Sequence, residues 1–395
     1  MTKYFLNIIF CLAFINPSYA QKITFKTGKP TSKTYYTEIP YKNIKGKLII
    51  PVTINNTNYN FLFDTGAPNL ISSALMKEIK SNNSKSISVS DANQNKQRME
   101  LISIPLLTLG NVSFKNTSAL VFNGTDNLVF DCYDIDGIIG SNILRKSIVQ
   151  IQSEKNLIIL TNDLNKVRLE KQTGMDLVLR SNQSSPYITI KIKDKKNAKE
   201  NVLIDTGASG FYDMCKSNYK ALEEYNILSN STRGEGTSSI GLFGASEAET
   251  QYLVKIPEIE IDGHTFTNIS TITTSDDNSR IGADILEHGI MTLDFKHKRF
   301  HFDAYKAKSD LTEKNFGFTP TIQDNNLIVG IVWNENLKDK IHVGDKILKI
   351  NDMDLLSMDI CDLLTEDSPF KSSNIIHITI KNKSGETSSF ILEKH

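Results

Sequence analysis

The tetrapeptide Asp-Thr-Gly-Ala occurs twice, at Asp64–Ala67 and at Asp205–Ala208, each time directly after an apolar run. Those runs, Phe61-Leu62-Phe63 and Val202-Leu203-Ile204, read as buried strands that carry a carboxylate from the core to its edge. Gly66 and Gly207 permit a tight turn and a close backbone approach. Thr65 and Thr206 supply hydroxyls able to tie each turn to its partner. A single such turn is no more than the end of a strand. Two of them, brought to one axis by related lobes, put their carboxylates within hydrogen-bonding distance. Like charges that close cannot both ionise cheaply, so the pair holds one proton. One member can then act as base on a water while the other donates to a carbonyl, which is what amide hydrolysis needs, with no cofactor and no metal. Asp64 and Asp205 are therefore the candidate catalytic residues, and Thr65, Gly66, Ala67, Thr206, Gly207 and Ala208 support their loops.

The elements that must position this pair repeat as well. Ile139-Gly140-Ser141-Asn142-Ile143-Leu144 returns as Ile281-Gly282-Ala283-Asp284-Ile285-Leu286 at nearly the shift that relates the two aspartates. Two separated blocks moving together mark an internal duplication. Lys47 to Ile54 and Tyr59 to Phe63, split by Asn55-Asn56-Thr57-Asn58, read as a hairpin. Tyr187 to Ile192 and Val202 to Ile204 are split by a polar, lysine-rich connection. Short helical patterns follow at Ser73 to Ile79 and Lys216 to Glu224, and each copy closes with two β-type runs. Two mainly β lobes are expected, at 33–162 and 167–305. A third unit at 316–395 carries strand patterns at Leu327 to Trp333, Lys346 to Ile350 and Ile375 to Lys381.

These motifs resemble the aspartic peptidases, over roughly residues 45 to 303. That resemblance implies two β lobes of acid-protease type meeting at the paired loops, acting on a peptide or protein substrate. Its second marker, two apolar residues and a glycine, is complete in Ile138-Ile139-Gly140. In Arg280-Ile281-Gly282 an arginine stands at the first position, a departure that bears on packing in the second lobe. Alanine after each glycine is similar to retropepsins, where pepsin-like enzymes carry serine or threonine. Without that hydroxyl donor the pair should give up its proton at higher pH. The family's flap is expected within Ile87 to Met99 or Gly234 to Gly244. Val343-Gly344-Asp345-Lys346-Ile347-Leu348-Lys349-Ile350-Asn351-Asp352 resembles bacterial PDZ modules, which implies a small α/β unit taking a peptide ligand at a site apart from the lobes. A rival reading keeps this fold as a catalytically inactive peptide-binding or scaffolding protein.

Composition sets the remaining bounds. The 45 basic residues match 45 acidic ones, so no net field draws the chain to nucleic acid. Lys3, the apolar stretch Tyr4 to Phe14 and Ser18-Tyr19-Ala20 have the layout of a signal peptide over residues 1–20, with periplasmic or extracellular residence expected and no integral membrane segment after cleavage. Cys132, Cys215 and Cys361 then remain, too sparse for a disulfide framework, with one bridge open between any two. Asp134, Asp136 and Asp284 read as turn residues, and histidines such as His264, His288 and His297 show no metal-ligand spacing, most of them reading as surface residues.

Overall fold

The computed structural model describes residues 23–395 except 80, 82, 83, 125, 126, 171, 172 and 239. The expected signal peptide lies outside the described residues. The fold is mainly β, as the alternating and apolar runs require. Among the described residues, a nine-stranded sheet holds most of the first repeat. A fifteen-stranded sheet begins in the second repeat and continues into the C-terminal segment.

Each aspartate ends the second arm of a hairpin. The strand Lys47–Ile54 turns into Thr57–Asp64, with Asn55 and Asn56 at φ 52° and 63°. Two left-handed residues give a turn whose twist matches the strands it joins, and asparagine tolerates that conformation. In the second repeat Ser185–Lys193 pairs with Asn197–Ile204. Most of the lysine-rich connection is thus strand, because its polar residues occupy the solvent side of the ladder. A short strand then runs parallel to each aspartate strand: Gly137–Gly140 beside Phe61–Asp64, and Arg280–Ile281 beside Leu203–Ile204. The second marker of each repeat is therefore the neighbour of its aspartate. The short helices Ser73–Glu78 and Lys216–Glu224 follow the two loops.

A six-stranded sheet joins the repeats. At its centre Ile148–Gln152 pairs antiparallel with Gly289–Asp294, and Gln150 faces Thr292, its own counterpart at the repeat shift. The Gln150 amide donates to the Thr292 hydroxyl at 3.0 Å. One apolar core runs through both repeats, including Phe61, Phe63 and Ile139 from the first and Ile204, Phe266 and Ile281 from the second. His264 is buried, unlike the surface position expected of most histidines, with Nε2 3.0 Å from Ser309 Oγ. Its ring stacks edge-on to Phe266, so it behaves as a satisfied core side chain.

The C-terminal segment has its own core of Phe318, Val329, Ile347, Ile378 and other apolar residues. It is not held apart from the lobes. Gly236 of the second repeat pairs with Ile331, and the Thr237 amide donates to Gly330 O at 3.2 Å. Cys132 of the first repeat is bonded to Cys361, joining the helices Leu128–Cys132 and Ile360–Thr365, and the Tyr133 hydroxyl donates to Leu364 O at 3.2 Å. Cys215 is buried and free.

A cross-link spanning 229 residues removes much conformational freedom from the unfolded chain, roughly 2–5 kcal/mol. Replacing Cys132 and Cys361 together by serine should lower the urea midpoint of the oxidised protein to that of the reduced wild type. Coinciding midpoints for oxidised wild type and the double variant would show the bridge to be thermodynamically idle.

Candidate active site

The two Asp-Thr-Gly-Ala loops meet, and the contact is reciprocal. Thr65 Oγ1 donates to Ile204 O at 2.7 Å and accepts from the Thr206 amide at 3.1 Å. Thr206 Oγ1 donates to Phe63 O at 2.8 Å and accepts from the Thr65 amide at 3.1 Å. All four bonds are buried, so each hydroxyl satisfies two backbone groups of the opposite lobe that water cannot reach. Serving as both donor and acceptor is something a hydroxyl can do and an apolar side chain cannot.

This crossing brings the carboxyls of Asp64 and Asp205 together, each against the glycine of the opposite loop. Within each loop one oxygen is fixed by backbone donors. Asp64 Oδ1 accepts from Gly66 and Ala67 at 2.8 and 3.0 Å, and Asp205 Oδ1 from Gly207 and Ala208 at 3.1 and 3.2 Å. The glycines are obligatory for a steric reason. A Cβ on Gly66 would lie 2.5 Å from Asp205 Cγ, and one on Gly207 would lie 2.2 Å from Asp64 Cγ. Each glycine thus makes room for the opposite aspartate.

The electrostatics around the pair are not symmetric. Burial, then the negative charge and hydrogen bond of Asp205, push Asp64 up to about 8, opposed by the Gly66 and Ala67 amides. Beside Asp205 stands Arg280, with Nη1 3.1 Å from Asp205 Oδ2, Nε 3.8 Å from Asp213 Oδ2, and Nη2 paired to Asp276. Burial works against the arginine's charge, but Asp205, Asp276 and Asp213 outweigh it and raise its pKa. From the first lobe Lys47 Nζ donates to Gly207 O. Burial lowers the lysine's pKa, and the charges of Asp205 and Asp64 oppose that. At the position equivalent to Arg280 the first lobe has Ile138, buried among apolar side chains.

The loops border a cleft of about 1590 Å³. Both segments expected to hold a flap line it, and they touch each other. Asp91, at the tip between Ser84–Ser90 and Lys96–Leu109, accepts from the Phe243 amide at 2.9 Å. Asn127 donates to Leu242 O at 2.7 Å, and the Phe243 ring stacks on Phe122 with centroids 6.4 Å apart. The end of the second repeat's hairpin is therefore seated on the first. The C-terminal unit also lines this cleft, through Phe318, Trp333, Leu363 and Phe370. The unit expected to take a ligand apart from the lobes thus also forms part of the cleft wall. The physical reason is the strand pairing at Gly236 and the Cys132–Cys361 bond, which hold the unit against both lobes.

Every residue singled out in the two loops is at this junction. Asp134 and Asp136 sit in turns: Asp134 has φ 49°, and Asp136 Oδ2 accepts from the Asn60 amide at 3.0 Å. Asp284 belongs to the short turn Ala283–Glu287 and lines the cleft. Sequence reasoning did not find Lys47, Asp213 or Asp276. It registered Arg280 only as a packing irregularity, although an arginine in an otherwise apolar strand already asks for buried acidic partners.

The fold is mainly β, and its two Asp-Thr-Gly-Ala loops meet across the junction of the repeats. Residues 50–143 match the sequence model of the family described as aspartyl protease. That stretch holds Asp64 and the marker Ile138-Ile139-Gly140. Among curated proteins none matches the chain in sequence. An aspartic proteinase from Irpex lacteus, known from its crystal structure, is similar with a TM-score of 0.42 and 14% identity, over 68% of this chain and 97% of that one.

The threonine crossing carries a direct test. Thr65→Val strands the Ile204 carbonyl and the Thr206 amide in a dry interface, and Thr206→Val does the same for Phe63 and Thr65. Each should cost about 1–3 kcal/mol in denaturant unfolding, while serine at either position should recover most of the loss. Valine variants as stable as wild type would mean that the lobes are held elsewhere.

Proposed function

We propose that this chain is an exported aspartic-type endopeptidase in which Asp64 and Asp205 activate water for attack on a peptide bond. The observation that carries the reading is the approach of the two carboxyls across the junction, each seated against the glycine of the opposite loop. A pair sharing one proton holds a base and an acid side by side. The base takes a proton from water as its oxygen adds to the carbonyl carbon, and the acid protonates the carbonyl oxygen. Thr65, Gly66, Ala67 and their counterparts Thr206, Gly207 and Ala208 act by fixing these carboxyls and do not react.

The cleft exceeds the roughly 300–1,000 Å³ usual for small ligands, and it has the capacity for several residues of an extended chain. That favours cleavage within a peptide or protein. The reading divides the chain into lobes at 33–162 and 167–305 with a PDZ-like unit at 316–395, whose own peptide ligand is part of the proposal. The Cys132–Cys361 bond supports export, because such bonds persist in oxidising compartments. Periplasmic or extracellular residence follows from the same argument.

Asp64→Asn and Asp205→Asn should each lower kcat/KM toward a quenched fluorogenic peptide by at least about 10²–10⁴-fold, with circular dichroism unchanged. A folded variant that keeps near-native turnover would remove the pair from the chemistry. Binding of a statine-type peptide without any cleavage by the native protein would favour the peptide-binding alternative.

The raised pKa of Asp64 also sets a pH range. Activity needs one proton on the pair, and a group lifted to about 8 keeps that proton through neutral pH. The kcat/KM profile should therefore hold to about pH 8 and fall above it as the proton leaves. A profile already extinguished at pH 6, in protein that is still folded, would contradict this assignment.

A further inference from the structure

We propose that Arg280 is a positioning residue that decides which member of the pair carries the proton, keeping the negative charge on Asp205 and the proton on Asp64. The inference rests on the hydrolytic reading for its consequence, but its geometry stands independently.

The duplication makes the two aspartates equivalent in sequence and in their backbone donors. Two loops with the same four-residue motif, each giving two amides to its own carboxylate, offer no reason for the proton to prefer one side. The difference that touches one carboxyl directly comes from the neighbouring strand. In the first lobe that strand presents Ile138, whose surroundings are apolar. In the second it presents Arg280, 9% exposed, within hydrogen-bonding distance of Asp205 Oδ2. A guanidinium at 3.1 Å favours the charged form of the carboxyl it touches. Arg280 Nε is buried and has no hydrogen-bond partner, so the side chain is held by its charges and not by a complete set of bonds. Sequestering an arginine this way is costly, and apolar packing alone would not call for it.

The groups that face Arg280 come from several elements. Asp205 lies on the loop after Asn197–Ile204, Asp213 on the strand Tyr212–Cys215, and Asp276 on the loop after His264–Thr274. Tyr187, on the strand Ser185–Lys193, feels the arginine's charge and donates to Asn278 Oδ1 at 2.9 Å. Across the junction Lys47 completes the set. Asp276 and Asp213 draw on the same cation, so they moderate its pull on Asp205. Chemically, Asp205 becomes the base that takes the proton of the attacking water, and Asp64 the acid that donates to the carbonyl oxygen. Roles that symmetry would leave interchangeable are thereby assigned.

The test compares kcat/KM against pH for wild type, Arg280→Lys, Arg280→Leu and Asp276→Asn, with the ¹³C carboxyl signals of Asp64 and Asp205 read by NMR. Arg280→Leu should move both limbs of the bell to higher pH by one unit or more, since the anion loses its cation. Arg280→Lys keeps the charge and should move them by less than half a unit. Asp276→Asn removes a competing carboxylate and should move them the other way. A folded Arg280→Leu protein with limbs at the wild-type positions overturns the proposal. Should that variant not fold, unmoved limbs in Asp276→Asn overturn it equally. If the wild type cuts no peptide, NMR decides alone. One acid and one carboxylate signal at pH 7, assigned to Asp64 and Asp205, sustain the proposal while the hydrolytic reading falls. Equal signals for the two carboxyls reject the proposal itself.

Discussion

The structure hangs on the crossing of Thr65 and Thr206. One apolar core runs through both repeats, and each aspartate loop closes on its own amides. Neither loop alone brings two carboxyls together. The two hydroxyls convert separate turns into one unit because each satisfies a carbonyl and an amide belonging to the other lobe. Once those bonds form, the carboxyls have no room to stay apart, and Gly66 and Gly207 have no room for a side chain. Sequence choice at three of the four motif positions thus follows from one contact. The six-stranded sheet is its counterpart at the far side of the junction, where Gln150 meets Thr292 across the same approximate twofold.

Duplication supplies symmetry, and the proposed chemistry needs asymmetry. The chain meets both demands by keeping the motif identical and varying what packs beside it. Ile138 and Arg280 occupy equivalent positions on strands parallel to the two aspartate strands, yet one completes an apolar cluster and the other enters a nest of carboxylates. A change of this kind is available to a duplicated fold because backbone hydrogen bonds, not side chains, hold the marker strand. The side chain is then free to differ between copies.

Much of this was legible beforehand. The paired motifs, their hairpins and the Asn55-Asn56 turn are local signals, and local signals survive in a single sequence. The threonine hydroxyls were readable as ties because they have no other evident use after a buried strand. What escaped was long-range. Cys132 and Cys361 carry no local mark of their partnership, and His264 resembles any polar residue in an exposed strand until Phe266 and Ser309 are folded around it. Lys47 begins an apolar strand, and nothing near it in sequence says that its amine crosses to Gly207 O. The C-terminal unit was recognisable as a separate sequence pattern with its own core. Its seat against the cleft depends on one strand pairing and one sulfur bond, neither of which composition or periodicity can reveal.

The Cys132–Cys361 bond has a consequence of covalent topology. The whole second lobe, Asp205 included, lies inside the loop that this bond closes. A single backbone nick anywhere between those two cysteines therefore opens the ring without dividing the molecule. Both ends of the cut remain tethered to one continuous framework, and the interface between the aspartate loops need not dissociate. Among proteases, where exposed loops are steadily trimmed, such a ring lets the chain be clipped and still diffuse as one particle. An accompanying reductant would leave the two fragments joined by non-covalent contacts alone.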